Sequence, residues 1–488
     1  MPRVSPWRLL LFYGLITSAG IALFFAIRAW GERLPPPAAH LTATADAAAP
    51  AKNSPAPATP SRNPLPQLLA ALAAVVLVGR LFAAVLTRCG QPPVIGEVLA
   101  GIALGPSLLG WICKSGFGLE TSPLLPQDVA PYLGLIAQLG VILYMFLVGV
   151  EFNAGVLRSH AHAATAISHA SIIVPFLLGS ALALGLYSRL APAEISFTSF
   201  ALFMGVAMAV TAFPVLARIL TDRGIAQTEL GVLALSCAAV DDVTAWCLLA
   251  LVAGVVKSQI SGAAWVAVYS LAYIAFMLLV VRPIAGWLIR KTDHHGLSPT
   301  AIALIFGALL LSALATEWIG IHAVFGAFLL GVAIPHDSEV ARSLKSGLEQ
   351  VVLVLLLPAF FAYTGMRTQI GLVSGWHNWL ILVAIILVAS LGKFGGCLAA
   401  ARACGLDWRT SSAVGILMNT RGLMELIVLN IGLDLGVITP TLFAMMVVMA
   451  LVTTLATTPL LALLERCSGK SSHGMTQMKH GSETEIRV

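Results

Sequence analysis

Charge is what this chain has least of. Only 10% of its 488 residues are Asp, Glu, Lys or Arg, whereas 58% are hydrophobic. A soluble domain carries about 25% charged residues, so a water-soluble globule is excluded. Paired cysteines are also missing. The seven cysteines (89, 113, 237, 247, 397, 404 and 467) show no C-x-x-C spacing and mostly fall in or beside apolar runs. They imply neither a disulfide framework nor a metal cluster. No polar stretch is long enough for a soluble regulatory or nucleotide-binding domain. The net charge of +6 is spread over short loops between apolar runs, so it does not indicate a nucleic-acid partner. No cofactor is expected.

What remains is a series of long apolar stretches, the composition of an all-α polytopic membrane protein. Residues 1–33 hold an apolar run at 9–27 flanked by Arg3, Arg8, Arg28 and Arg33, either a leader or an N-terminal anchor helix. Residues 34–64 are rich in Pro, Ala, Ser and Thr and read as a disordered linker. A transmembrane domain follows over 65–464, and a short cytoplasmic tail over 465–488. The domain divides into thirteen spans, near 65–87, 93–112, 131–153, 163–187, 196–220, 228–256, 262–288, 298–316, 319–335, 347–366, 375–400, 409–434 and 438–464. Loops after odd-numbered spans hold most of the Arg and Lys, including Arg88, Arg158, Arg223, Arg290, Arg342 and Arg402. The positive-inside rule therefore places those loops and the C-terminus in the cytoplasm.

The spans also repeat. Glu97-x-x-x-Gly101-x-x-x-Gly105 in span two matches His322-x-x-x-Gly326-x-x-x-x-Gly331 in span nine. Phe146-Leu-Val-Gly149 in span three matches Ala362-Tyr-Thr-Gly365 in span ten. Partners seven spans apart cross in opposite directions, as in an inverted-topology repeat with a midplane site. The same offset pairs span five with span twelve. Span five carries Val210, Thr211 and Pro214, and a proline interrupts helical hydrogen bonding. Span twelve carries the polar run Asn419-Thr420-Arg421-Gly422 and then Glu425. Unwound backbone at membrane depth is tolerated where it lines a cavity. Arg421 and Glu425, four apart, form a structural or gating pair.

Span six places Asp241 and Asp242 side by side in an apolar run. A buried acid costs a few kcal/mol on insertion scales, and two together add repulsion. The pair therefore points to an ion or proton site rather than to scaffold. Lys393 in span eleven lies too deep to snorkel and is expected to pair with a buried acid. Consecutive helical residues point about 100° apart, so the two acids face different partners. His322 is expected to be a hydrogen-bonded packing residue and Glu97 a helix-end contact. His160, His162, His294 and His295 fall in predicted cytoplasmic loops.

Five segments together resemble the monovalent cation:proton antiporters, nearest the plant and fungal cation/proton exchanger branch and its bacterial relatives. They are Gly96–Pro106, Thr211–Arg218, Ala239–Trp246, Ile321–Phe328 and Asn419–Leu426. The resemblance implies a homodimer whose protomers each combine a dimerisation domain with a mobile core of two crossed broken helices. It implies K⁺ or Na⁺ and H⁺ as substrates, Asp242 as the ion carrier and Asp241 as the partner of Lys393. It also implies a transporter rather than an enzyme, embedded in lipid, in a bacterial inner membrane. The long soluble tail and the nucleotide-binding tail of some members are not expected. Many plant-type members have Asn-Asp where this chain has Asp-Asp, a difference that in the family accompanies electroneutral rather than electrogenic exchange. A symporter of organic anions could share the repeat but would want more polar substrate contacts. A membrane sensor would need an output domain.

Overall fold

The computed structural model describes residues 6–37, 64–110, 112, 129–151, 161–257, 260–292 and 298–479. Most of the expected linker lies outside these residues, as do His160, His294, His295 and the His162 side chain. Every regular element among the described residues is helical. Each of the thirteen predicted spans corresponds to one helix or to helices joined end to end. Ten are long and apolar enough to cross a bilayer, and a bent pair, Trp408–Met418 with Leu423–Asp434, makes an eleventh. The other two fall short for local reasons. Span five is two helices, Phe197–Ala209 and Phe213–Asp222, divided by a break. Span nine is Ala323–Ala333, only 11 residues. At 1.5 Å per residue that covers about half of a bilayer core. The last span runs on as helix to Lys479, beyond the predicted end at 464.

The inverted repeat is visible as packing. Span two crosses span ten, and span three crosses span nine. A pseudo-twofold operation exchanges those two contacts. Both crossings are backbone on backbone. A Cβ added to Gly101 would lie 2.3 Å from the Phe361 carbonyl oxygen, and one on Gly365 would lie 2.1 Å from the Gly101 carbonyl carbon. In the other crossing, a Cβ on Gly149 would meet the Phe328 oxygen at 2.2 Å, and one on Gly331 the Phe146 oxygen at 2.3 Å. The glycine spacing shared by these spans is therefore the requirement for close helix approach.

Two π turns, Met277–Val281 and Val352–Leu356, each precede an in-helix proline, Pro283 and Pro358. A proline leaves the carbonyl four residues back without its donor. In both cases that carbonyl lies inside the π turn, where the register lengthens to five residues. The N-terminal helix, Pro6–Gly31, lies against span four and the start of span five. Phe24 packs on Phe176 with ring centroids 5.7 Å apart, and Thr198 donates to the Glu32 carboxylate at 3.1 Å.

Candidate ion-binding site

The two breaks meet in the middle of the helical body. Val210 adopts an extended conformation that ends the first half of span five, and Pro214 sits in the first turn of the second half. Asn419 closes the first half of span twelve, and Gly422 (φ 158°) starts the second. The Ala212 amide donates to the Thr420 carbonyl at 3.1 Å, so the unwound strands hydrogen-bond directly where they cross. Thr454 of span thirteen straps the second break. Its hydroxyl donates to the Arg421 carbonyl at 2.7 Å and accepts from the Arg421 amide at 2.9 Å. The Ala212 and Arg421 amides and the Thr420 and Arg421 carbonyls thus find protein partners, as burial requires.

Asp241 and Asp242 lie beside this crossing, both buried, and their surroundings are opposite. Asp241 is saturated. Ser168 and Ser171 of span four each donate to its carboxylate at 2.6 Å, Thr211 donates at 2.8 Å, and the Lys393 ammonium at 3.1 Å. Lys393 spends its remaining two protons on the Ser171 hydroxyl, at 2.8 Å, and the Thr211 hydroxyl. All three ammonium donors are therefore used. Both side chains are wholly buried, and the expected Lys393 pairing is found with Asp241.

Asp242 has no such company. Neither of its carboxylate oxygens has a hydrogen-bond partner among the described residues, although the side chain is 97% buried. The Phe213 amide, at the start of span five's second half, is the peptide group that acts on it. A helix N-terminus carries partial positive charge and favours an anion.

Arg421 does more than pair with Glu425. Its Nη1 donates to Glu425 at 2.7 Å and to the Ala207 carbonyl at 2.9 Å, while Nη2 donates to the Met208 carbonyl at 2.7 Å. These carbonyls belong to the last turn of span five's first half, whose acceptors have no intrahelical donor. The guanidinium is thus a cap on a broken helix. Charge bookkeeping at the crossing is then simple: Asp241 cancels Lys393, Glu425 cancels Arg421, and Asp242 is left over.

The sequence singled out Asp241, Asp242, Lys393, Val210, Thr211, Pro214, Asn419, Thr420, Arg421 and Glu425, and all lie at the breaks or on the helices packed against them. It did not single out Ser168, Ser171 or Thr454. His322 caps the short helix of span nine, its Nδ1 accepting from the Val324 amide at 3.5 Å. Glu97 lies beyond the first turn of its helix, about one turn before Gly101, and is buried rather than end-on to solvent. Its Cγ sits 4.0 Å from the Cβ position of Gly79 in span one, because a residue without a side chain leaves room for it.

The family model described as "Sodium/hydrogen exchanger, transmembrane" matches residues 72–464. The chain belongs to the sodium/hydrogen exchanger family. This exchanger is therefore an integral membrane protein of a secondary-transporter family rather than an enzyme. It is 43% identical over 401 residues to the Na(+)/H(+) antiporter NhaS4 of Synechocystis, covering 82% of this chain and 97% of that one. Cation/H(+) antiporter 15 of Arabidopsis thaliana is 38% identical, with 87% of this chain and 52% of that protein covered. K(+)/H(+) antiporter 1 of Saccharomyces cerevisiae is 32% identical, with 83% and 47% covered. The exchanger thus spans about half the length of these two eukaryotic relatives. Its fold matches the sodium proton antiporter MjNhaP1 of Methanocaldococcus jannaschii with a TM-score of 0.60 at 16% identity, covering 81% of this chain and 95% of that one.

Proposed function

We propose that this exchanger swaps a monovalent cation, Na⁺ or K⁺, for protons by alternating access, with both ions competing for Asp242. The observation that carries the proposal is the unpartnered, buried Asp242 carboxylate beside two crossed helix breaks. An uncompensated charge in a low-dielectric interior is costly, so the group either binds a proton or is satisfied by a cation. One carboxylate cannot hold both, and that competition couples the two fluxes. Asp241 and Lys393 form the fixed neighbour, already satisfied by three hydroxyls. Val210, Thr211, Pro214, Asn419 and Thr420 shape the break, where backbone carbonyls replace part of a hydration shell. Arg421 and Glu425 hold the break together.

Relatives named for Na⁺ and for K⁺ both support cation exchange and leave both ions as candidates. The proposal includes a homodimer in the bacterial inner membrane with its C-terminal side cytoplasmic, an orientation supported by the basic loops. The test is exchange in proteoliposomes, followed by a pH-sensitive dye after addition of Na⁺ or K⁺. Asp242→Asn is expected to abolish exchange with both ions while the purified protein stays folded. Retained exchange in that variant would overturn the assignment.

A further inference from the structure

Breaking two helices at one place creates four half-helix ends, each with a fixed partial charge. Three of them are answered by a side chain of opposite sign. The negative end at Ala209 has the Arg421 guanidinium on its Ala207 and Met208 carbonyls. The positive end at Phe213 faces the Asp242 carboxylate. The positive end at Leu423 carries Glu425 in its first turn. The fourth is the negative end of Trp408–Met418, closed by Asn419. No cationic side chain is bonded to it among the described residues. Its Met418 carbonyl receives only a 3.5 Å contact from the Thr211 hydroxyl, whose proton is better placed on Asp241 at 2.8 Å.

The same end bears a second unanswered acceptor. The Asn419 Oδ1 is shielded from solvent and has no hydrogen-bond donor among the described residues. Buried side-chain oxygens normally have a partner, so one without calls for an explanation. The crossing holds Asn419 close to the site: Thr420 accepts from Ala212, and the next residue of that strand, Phe213, is the one whose amide acts on Asp242. Two sets of unpartnered oxygens, one anionic and one neutral, therefore belong to residues next to the strands joined at this crossing. A monovalent cation supplies what both lack, and the nearby cations Lys393 and Arg421 are already paired.

We propose that the Asn419 side-chain oxygen is a direct ligand of the transported cation, together with Asp242. This rests on the exchange function proposed above and adds a ligand from the side chain rather than from the unwound backbone. Exchange kinetics in proteoliposomes, with Na⁺ and K⁺ titrated separately, test it. In Asn419→Ala the KM for the transported cation is expected to rise about tenfold or more while kcat changes by less than about threefold, the pattern of lost ground-state binding. Asn419→Ser, which keeps a shorter oxygen, is expected to fall between the two. Cation-induced thermal stabilisation of the purified protein gives a second readout that needs no turnover, and Asn419→Ala is expected to lose most of it. A KM within about twofold of the starting protein, or unaltered cation-induced stabilisation, overturns the ligand role even if Asp242→Asn is inactive. If Asn419→Ala does not fold, Asn419→Ser with a KM like the starting protein overturns it equally. Failure of the unsubstituted protein to exchange either ion would instead defeat the underlying function.

Discussion

Removing the Arg421 guanidinium disturbs two things that can be separated. The side chain is wholly buried, bonded to two carbonyls of span five and to Glu425. Hydrogen bonds from a charged group are worth about 1.5–3 kcal/mol each. Removing one partner of a buried ion pair costs about 3–5 kcal/mol, mostly from the charge left behind. The contributions overlap, so Arg421→Ala is expected to destabilise by roughly 4–6 kcal/mol. Adding Glu425→Gln takes away the stranded charge but leaves the two carbonyls open. The double variant is therefore expected to regain about half, roughly 2–3 kcal/mol. Thermal unfolding in detergent, run on both singles and the double, gives the ranking. A double variant that melts at or below Arg421→Ala would refute the stranded-charge account. An Arg421→Ala protein as stable as its parent would refute the cap as well.

Two further outcomes concern stability away from the site. Gly101→Ala and Gly331→Ala each place a Cβ 2.3 Å from a backbone oxygen of the crossing helix, and each is expected to cost about 1–3 kcal/mol or more in the same melts, whereas Gly307→Ala, which meets nothing within 4 Å, is expected to be neutral or slightly stabilising. Asp407, on the loop into span twelve, caps Trp408–Met418 and accepts from the Arg409 and Thr410 amides at 3.0 Å. The Thr410 hydroxyl and amide hold its carboxyl below the ordinary range. Its stabilisation is then complete above the unfolded value of about 4 and is lost as pH falls through the lowered folded value. Asp407→Asn is expected to narrow the acid-induced drop in melting temperature below about pH 4, and an unchanged acid limb would count against the cap.

The sequence was most informative where a residue type was out of place. Lys393 deep in an apolar run needed an acid, and the 100° step between adjacent helical positions allowed it only one of two. That arithmetic leaves open which acid it is; the family resemblance implied Asp241, the acid that Lys393 contacts at 3.1 Å. Ser168 and Ser171 carried no comparable signal. Serines in membrane helices commonly bond their own backbone, as Ser236 and Ser270 do here to carbonyls four residues back. Only the fold, which brings span four against span six, reveals that these two serve a carboxylate 73 and 70 residues away. Arg421 was legible halfway: its i,i+4 relation to Glu425 is local, but its carbonyl partners lie 214 and 213 residues earlier. The break in span five could be placed from Pro214. Which side chain would answer the exposed helix end could not, because that depends on how the two breaks cross.

The paired crossings of spans two with ten and three with nine have a mechanical consequence. Contacts between side chains can yield, because rotamers redistribute when one helix slides on another. A contact made of carbonyls and α-carbons has no such freedom, and displacement along either axis drives main-chain atoms together. Two such crossings related by a pseudo-twofold form a braced frame that resists shear between its members. Any change of shape around Asp242 must then be taken up elsewhere, by movement of neighbouring helices across the outside of that frame.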